Sequence, residues 1–425
     1  MNQNLFFPCY HLSEIPGFLD DQENKKINKV DYNTKTNHAY KLIRYDKTSI
    51  CIDEWKTTQI GLLRSVILND KDIVVGFSPP KSVDTEEFMK NYPDIDENII
   101  VEEFLEGTMI NLFWNQNISP DGGWEIATRN SIGAECSFYK SSHSKTFKTM
   151  FYEAMEKSNM DISFLNKQYS YSFVLQHPEN RIVVPYTVPQ LYLVGVYEIV
   201  YENLLEPEEN GISSSVPSIK VFDHSYDLEY IISHFYMYHC QVYFPTRFLD
   251  YTSYSEIIAD FGSMNTPYNI MGVVLKNRIT GERCKIRNPN YELVRLLKGN
   301  EPKLQYRYLS LRKEGKVQDY LEYYPEDKND FSKYRDHVHL FTQNLFKNYI
   351  SCYVRKEKKL HMYPYEYKNH MFHLHKLYMD ILREEKLIVS MKTVIEYVNQ
   401  LHPSQLMYSL NYNLRMHNMD ILRDA

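Results

Sequence analysis

Apolar residues recur along this chain with two different periods. Between residues 62 and 80, LLRSVILNDKDIVVGFSPP holds two short apolar runs, Leu63 to Leu68 and Ile73 to Phe77, joined by the turn-forming Asn69-Asp70; this predicts a hairpin. A short helix is expected over Thr85 to Tyr92, followed by the strands NIIVEEF and TMINLFW, the turn SPDGG and the strand WEIAT. From Ser144 to Lys157 the period lengthens. Phe147, Met150, Phe151, Ala154 and Met155 fall at i, i+3, i+4, i+7 and i+8, which predicts an amphipathic helix capped by Ser144 with a core-facing aromatic and Met stripe. YSYSFVLQ, RIVVPY and LYLVGVYEIV give three further strand candidates, and NGISSSVP (210–217) reads as a surface loop. NIMGVVLK and RCKIR are two more strands. Strands enclosing occasional helices predict a mixed, mainly antiparallel α+β domain. Beyond about residue 300 helical periodicity takes over, in Tyr334 to Tyr353, Tyr367 to Lys386 and Met391 to Leu401. The expected division is an N-terminal extension over 1–60, the α+β domain over 61–300 and a helical C-terminal domain over 301–425.

Composition agrees with a folded chain of more than one domain: 425 residues, 43% hydrophobic and 24% charged. The 37 tyrosines against 14 glycines are a bias that AT-rich coding produces without selection, so they decide little. Cys9, Cys51, Cys136, Cys240, Cys284 and Cys352 lie tens of residues apart with no CxxC pair, which points to a reducing compartment. No window approaches the roughly 18 apolar residues of a membrane span, and the first residues lack a signal pattern, so a soluble intracellular protein is expected. The net charge of −7 argues against indiscriminate polyanion binding. Its distribution is uneven, however. From Lys276 to Lys316 twelve basic residues face four glutamates, a local excess of eight suited to phosphate contacts or to an ordinary solvated surface.

Four stretches in one order carry a family resemblance: VEEFLEGTMINLFW (101–114), YSFVLQHPENRIVVPY (171–186), IMGVVLKN (270–277) and CKIRNPNY (284–291). Together they resemble motifs I, III, IV and V of the covalent nucleotidyltransferases, and within them the phage T4-type RNA ligases and their degenerate relatives in large DNA viruses. The resemblance spans about residues 60 to 300 and implies an α+β nucleotidyltransferase domain of the ATP-grasp-like ligase kind. In that family the lysine of KxDG or KxEG attacks the α-phosphate of ATP, and must be neutral to do so.

Aligning Glu106-Gly107 with that pattern puts Phe104 in the lysine position. A phenyl ring has no lone pair to offer. Shifting the register brings in Glu103 or Leu105, and no lysine lies between Asn91 and Lys140. The motif III acid is replaced by Ser172 between Tyr171 and Phe173, and the motif IV acid by Met271 before Gly272. A hydroxyl and a thioether are poor ligands for a hard divalent cation. The resemblance with these departures implies a retired active site without a catalytic residue or a metal ligand.

Binding equipment remains in the resemblance. Lys276 ends the motif IV stretch, while Lys285 and Arg287 alternate on the motif V strand and so face one way. Arg64 lies in the strand-like RSVIL, Lys81 on the approach to motif I, Arg129 in ATRNSIG and Arg181 in NRIV. By resemblance these contact nucleotide phosphates or an RNA end. Glu106 and Gly107 either shape an adenosine pocket or preserve the turn after a strand. Elsewhere, KLQYRYLSLRKEGK (303–316) reads equally as a base-stacking segment or as a solvated helix. His370, His373 and His375 do not share one helix face, which argues against zinc.

Three functional readings follow. The first is a catalytically degenerate RNA-ligase-like protein that binds RNA ends or holds ATP without turnover. The second is an active ATP-dependent RNA ligase with a non-standard nucleophile and Mg2+. The third is a structural or adaptor protein with protein partners. The viral resemblance implies a cytoplasmic location, in a host cell or viral factory, or association with the virion.

Overall fold

The computed structural model describes residues 7–19, 25–35, 38–138, 145–205 and 215–424. The chain divides into two compact units, Met1–Leu293 and Val294–Ala425.

Three antiparallel sheets build the first unit. The largest has six strands in the order Cys9–His11, Ser215–Asp223, Gln190–Leu205, Tyr169–Gln176, Thr108–Asn115 and Gly123–Thr128. A smaller sheet orders Arg247–Phe248, Ile99–Glu103, Gly272–Asn277 and Arg283–Arg287. A third is formed by Ile27–Asn33, Ala39–Tyr45, Val66–Asn69 and Val74–Gly76. The first sixty residues, expected as an extension, are therefore woven into two sheets: Cys9–His11 pairs with the strand ending at Asp223, and Ala39–Tyr45 with Val66–Asn69.

The helix Phe147–Lys157 lies on the large sheet because its apolar stripe meets strand residues of matching period. Phe147, Met150, Phe151, Ala154 and Met155 are buried with Ile110, Leu112, Phe173 and Leu175. Its cap is Thr146, whose hydroxyl accepts the Thr149 amide at 3.2 Å; the expected cap, Ser144, lies outside the described residues. Of the expected 210–217 loop, residues 210–214 also lie outside them, and Ser215 to Pro217 already pair with Asn203 to Leu205.

In the small sheet, strand alternation sorts apolar from charged side chains. Ile99, Val101, Val273, Leu275, Cys284 and Ile286 point to one side and are buried with Phe88 and Ile257. The other side carries Glu102 and Phe104 on one strand, Val274 and Lys276 on the next, and Arg283, Lys285 and Arg287 on the last, in register as Val274 with both Glu102 and Lys285. Gly272 permits the tight end of this sheet: its φ is +127° and a Cβ there would stand 2.1 Å from the Ile286 carbonyl oxygen.

One expected strand is absent. RIVVPY forms an irregular loop, because the Val183 and Val184 amides donate to the Glu106 carboxylate instead of to a neighbouring strand. Arg64 likewise sits in the turn before its strand, which begins at Val66.

The second unit is helical. Its longest helix, Lys328–Tyr349, continues through a π-helical turn to Val354, and Tyr365–Leu377 and Met391–Gln400 follow. The basic, aromatic segment 303–316 is mostly the helix Leu304–Glu314, with Tyr308, Leu309 and Leu311 buried. Arg307 donates to the Leu297 carbonyl at 2.7 Å, Arg312 to Asn399, and the Tyr308 ring packs edge-on to Phe331 at 5.1 Å. This segment's groups are thus engaged within its own unit. His370 is buried between the Tyr397 hydroxyl (2.9 Å) and the Ser409 hydroxyl (2.8 Å), whereas the His375 ring stacks on Tyr353.

Candidate functional site

Phe104 directly follows the strand Ile99–Glu103, and its amide donates to the Gly272 carbonyl at 3.1 Å, which fixes the backbone against the neighbouring strand. Its half-buried ring is the platform for two cations. The Lys285 ammonium lies 4.3 Å from the ring centroid and the Arg287 guanidinium carbon 5.3 Å from it. Both distances lie in the range where the negative ring face attracts a cation. The parity of 285 and 287 read from sequence places them on one face, and Arg283 two residues earlier extends the row.

Positive charge is concentrated here. Burial, then Arg283, Arg64, Arg287 and Lys276 in turn, lower the Lys285 ammonium to about 6. Burial and Arg283 also lower Arg64, which Arg129 reaches as well. No acid ranks among the groups that set Lys285. Such a crowd of like charges costs free energy in an empty cleft, and an oxyanion placed among them offsets that cost.

Several expected binding residues are committed elsewhere. Lys276 is buried in an ion pair with Glu102. Arg287 also pairs with Glu292 at 2.8 Å, and in the second unit Lys298 and Arg307 face Asp327 and Glu301, so the local charge excess is partly neutralised. Lys81 lies 4.2 Å above the Trp55 ring, the Arg129 guanidinium carbon 5.5 Å from the Tyr45 ring, and Arg181 turns back to the Val183 carbonyl at 3.0 Å.

Glu106 is built into the fold. It is 4% exposed, and its carboxylate accepts the Val183 amide at 3.1 Å and the Val184 amide at 3.2 Å. Burial raises its pKa, opposed by the Tyr291 hydroxyl and these amides. The Glu106 carbonyl accepts Gln176 at 2.9 Å, and Asn180 donates to Thr108 at 2.9 Å. Gly107, at φ +149°, passes so near the Leu175 carbonyl oxygen that a Cβ would lie 2.6 Å from it. The NRIV loop is therefore clasped to the start of strand Thr108–Asn115.

A divalent cation, which the resemblance implies for catalysis, does not fit these residues. Ser172 is fully buried and its hydroxyl donates to Asn111 Oδ1 at 2.8 Å, directly across the strand pair. Met271 offers only a thioether. Glu102 is held by Lys276, and Glu103 accepts from Thr246. Among the described residues no three His, Cys, Asp or Glu side chains converge to hold a metal ion.

With this geometry in view, the chain is 33% identical over 132 residues to an RNA ligase of Rhodothermus phage RM378, a match covering 29% of this chain and 27% of that protein. Over that stretch the chain is similar in sequence to an RNA ligase. The chain is also similar to an immediate-early protein ICP-46 homolog of Invertebrate iridescent virus 3, 23% identical over 56% of this chain and 45% of that protein. The chain thus spans between a quarter and a half of the curated relatives it matches. Among solved structures, an archaeal ATP-dependent RNA ligase overlaps 72% of each chain at 12% identity with a TM-score of 0.36. No family model matches the chain. Among the described residues no helix is long and apolar enough to cross a membrane.

Sequence reasoning named Lys285, Arg287, Arg64 and Arg129 as binding residues, counted Arg283 only among the basic residues of the 276–316 segment, and did not single out Tyr291. Arg283 was available from the same two-residue spacing as Lys285 and Arg287. Tyr291 had no such signal, since its partner Glu106 is 185 positions away in sequence.

Proposed function

We propose that this RNA-ligase-like protein binds the phosphates of a nucleotide or an RNA end in the cleft at Phe104 and carries out no adenylation through the usual motif I position. The observation that carries this reading is the pair of basic side chains stacked over the Phe104 ring, Lys285 and the Glu292-paired Arg287, with Arg64 and Arg283 acting on Lys285. Position 104 has no amine to attack ATP, and the family's two acid positions are Ser172 and Met271. ATP in this reading is a bound ligand without turnover.

The test measures affinity for single-stranded RNA against salt concentration in the wild type and in Lys285→Ala/Arg287→Ala. Losing two phosphate contacts lowers the affinity and flattens the salt slope by roughly 1 to 2. An unchanged affinity and slope removes this pair from the binding site.

A second reading has a specific observation behind it: Lys285, at about 6, is largely uncharged at neutral pH and meets the protonation requirement of a nucleophilic amine. In that reading its nitrogen bonds to the α-phosphorus of ATP, the bond to the leaving pyrophosphate breaks, and the amine proton passes to solvent. Incubation with α-labelled ATP and Mg2+, followed by denaturation, separates the two. Label that stays on the wild-type chain and vanishes in Lys285→Ala establishes an active enzyme; an unlabelled chain supports binding without turnover.

A further inference from the structure

We infer that the cavity at the other end of strand Ile99–Glu103 is a second ligand site, which takes a mononucleotide-sized molecule carrying an oxyanion on a planar body. The cavity measures about 580 Å³ and is lined by Arg247, Arg278, Phe248 and Tyr251 above a floor that includes Ile99 and Ile100. That volume lies within the range of small-molecule sites. From Ile99 to Phe104 the chain runs five strand residues, about 17 Å, so this cavity is separate from the cleft proposed above.

Two guanidinium groups share this space. Among the described residues neither Arg247 nor Arg278 has an acid within ion-pairing distance. Arg247 donates to the Ser225 carbonyl at 3.3 Å, but its Nε is buried without a hydrogen-bond partner. Burial disfavours the charge on Arg247, and Arg278 disfavours it further, while Glu102 and Tyr226 favour it. Arginine carries five donors and no acceptor, and a buried donor left without a partner loses the hydrogen bond it had with water.

The neighbouring acids favour the charge on Arg247 only from a distance: Glu102 and Asp227 act on it without forming an ion pair with it. Glu102 is held by Lys276. Asp96 accepts the Asn98 amide and side chain, and Asp227 accepts the Tyr230 amide. Glu97 and Glu229 are exposed, where water screens them. An oxyanion between the two arginines supplies the acceptor that Nε lacks and offsets their repulsion through the planar donor forks suited to phosphate. Phe248 and Tyr251, 6.4 Å apart and nearly perpendicular, form an aromatic corner for a flat ring.

The experiment uses the full chain carrying Lys285→Ala/Arg287→Ala, so that the cleft at Phe104 does not contribute, with AMP and inorganic phosphate as calorimetric probes. AMP is expected to bind, phosphate to bind at least about tenfold more weakly, and the added change Arg278→Gln to weaken AMP by about tenfold or more. Arg278 is half-exposed, so this variant tests the site even if Arg247→Gln compromises folding. Absence of AMP binding, affinity indifferent to Arg278→Gln, or phosphate binding as tight as AMP each overturns the inference. None of these outcomes bears on RNA binding at Lys285 and Arg287, which is measured separately.

Discussion

The Lys285 ammonium and the Phe104 ring face each other at 4.3 Å, an amine resting on an aromatic face. The folded amine titrates near 6 and the unfolded one near its ordinary 10.5, so between these values the unfolded chain binds more protons and stability rises with pH. Urea midpoints at pH 6, 7.5 and 9 are therefore expected to show Lys285→Met as the more stable protein at pH 6, with the difference shrinking towards pH 9. A difference constant with pH would mean that Lys285 titrates as an ordinary surface lysine.

An anion in the cleft reverses that balance, since it favours the charged amine. Binding then takes up a proton, and single-stranded RNA is expected to bind more tightly at pH 5.5 than at pH 8. Lys285→Arg, charged throughout this range, is expected to bind with a flatter pH profile. Parallel profiles for the two proteins, measured at fixed ionic strength, would exclude proton uptake at this residue.

Glu106→Ala leaves the Val183 and Val184 amides without their acceptor. Two orphaned donors place the expected loss of stability at about 2 to 5 kcal/mol, read by denaturant unfolding. Glu106→Gln keeps one carbonyl oxygen in place and is expected to lose less. Equal stability of all three proteins would show that the loop does not depend on this clasp.

Lys276→Ala strands the Glu102 carboxylate in a site where Glu102 is only 7% exposed. Breaking such a pair costs about 3 to 5 kcal/mol, whereas removing both charges costs far less. The double variant Lys276→Met/Glu102→Leu is accordingly expected to fold nearly as well as the wild type and to keep the same salt slope for RNA. A reduced slope would return Lys276 to the phosphate-binding set.

Much of the architecture was legible because local periodicity and tertiary burial agree. The helix at Phe147–Lys157 and the strands at Ile99–Glu103, Thr108–Asn115 and Tyr169–Gln176 each carry their own apolar pattern. RIVVPY misled for the opposite reason: its β-branched residues satisfy a strand pattern, but a distant carboxylate takes their amides. In the cleft, alternation placed Lys285 with Arg287. It was silent on Lys276, because charge and spacing do not reveal that Glu102, two residues before Phe104, has claimed that ammonium. Cys9–His11 was opaque because its partner strand lies some two hundred positions away, whereas Ile27–Asn33 and Ala39–Tyr45 pair locally and were missed because their polar and apolar residues are mixed.

The clasp at Glu106 has a bearing on how such chains are recognised. Glu106 and Gly107 serve as a buckle between loop and strand, so natural selection for a sound fold alone suffices to retain them.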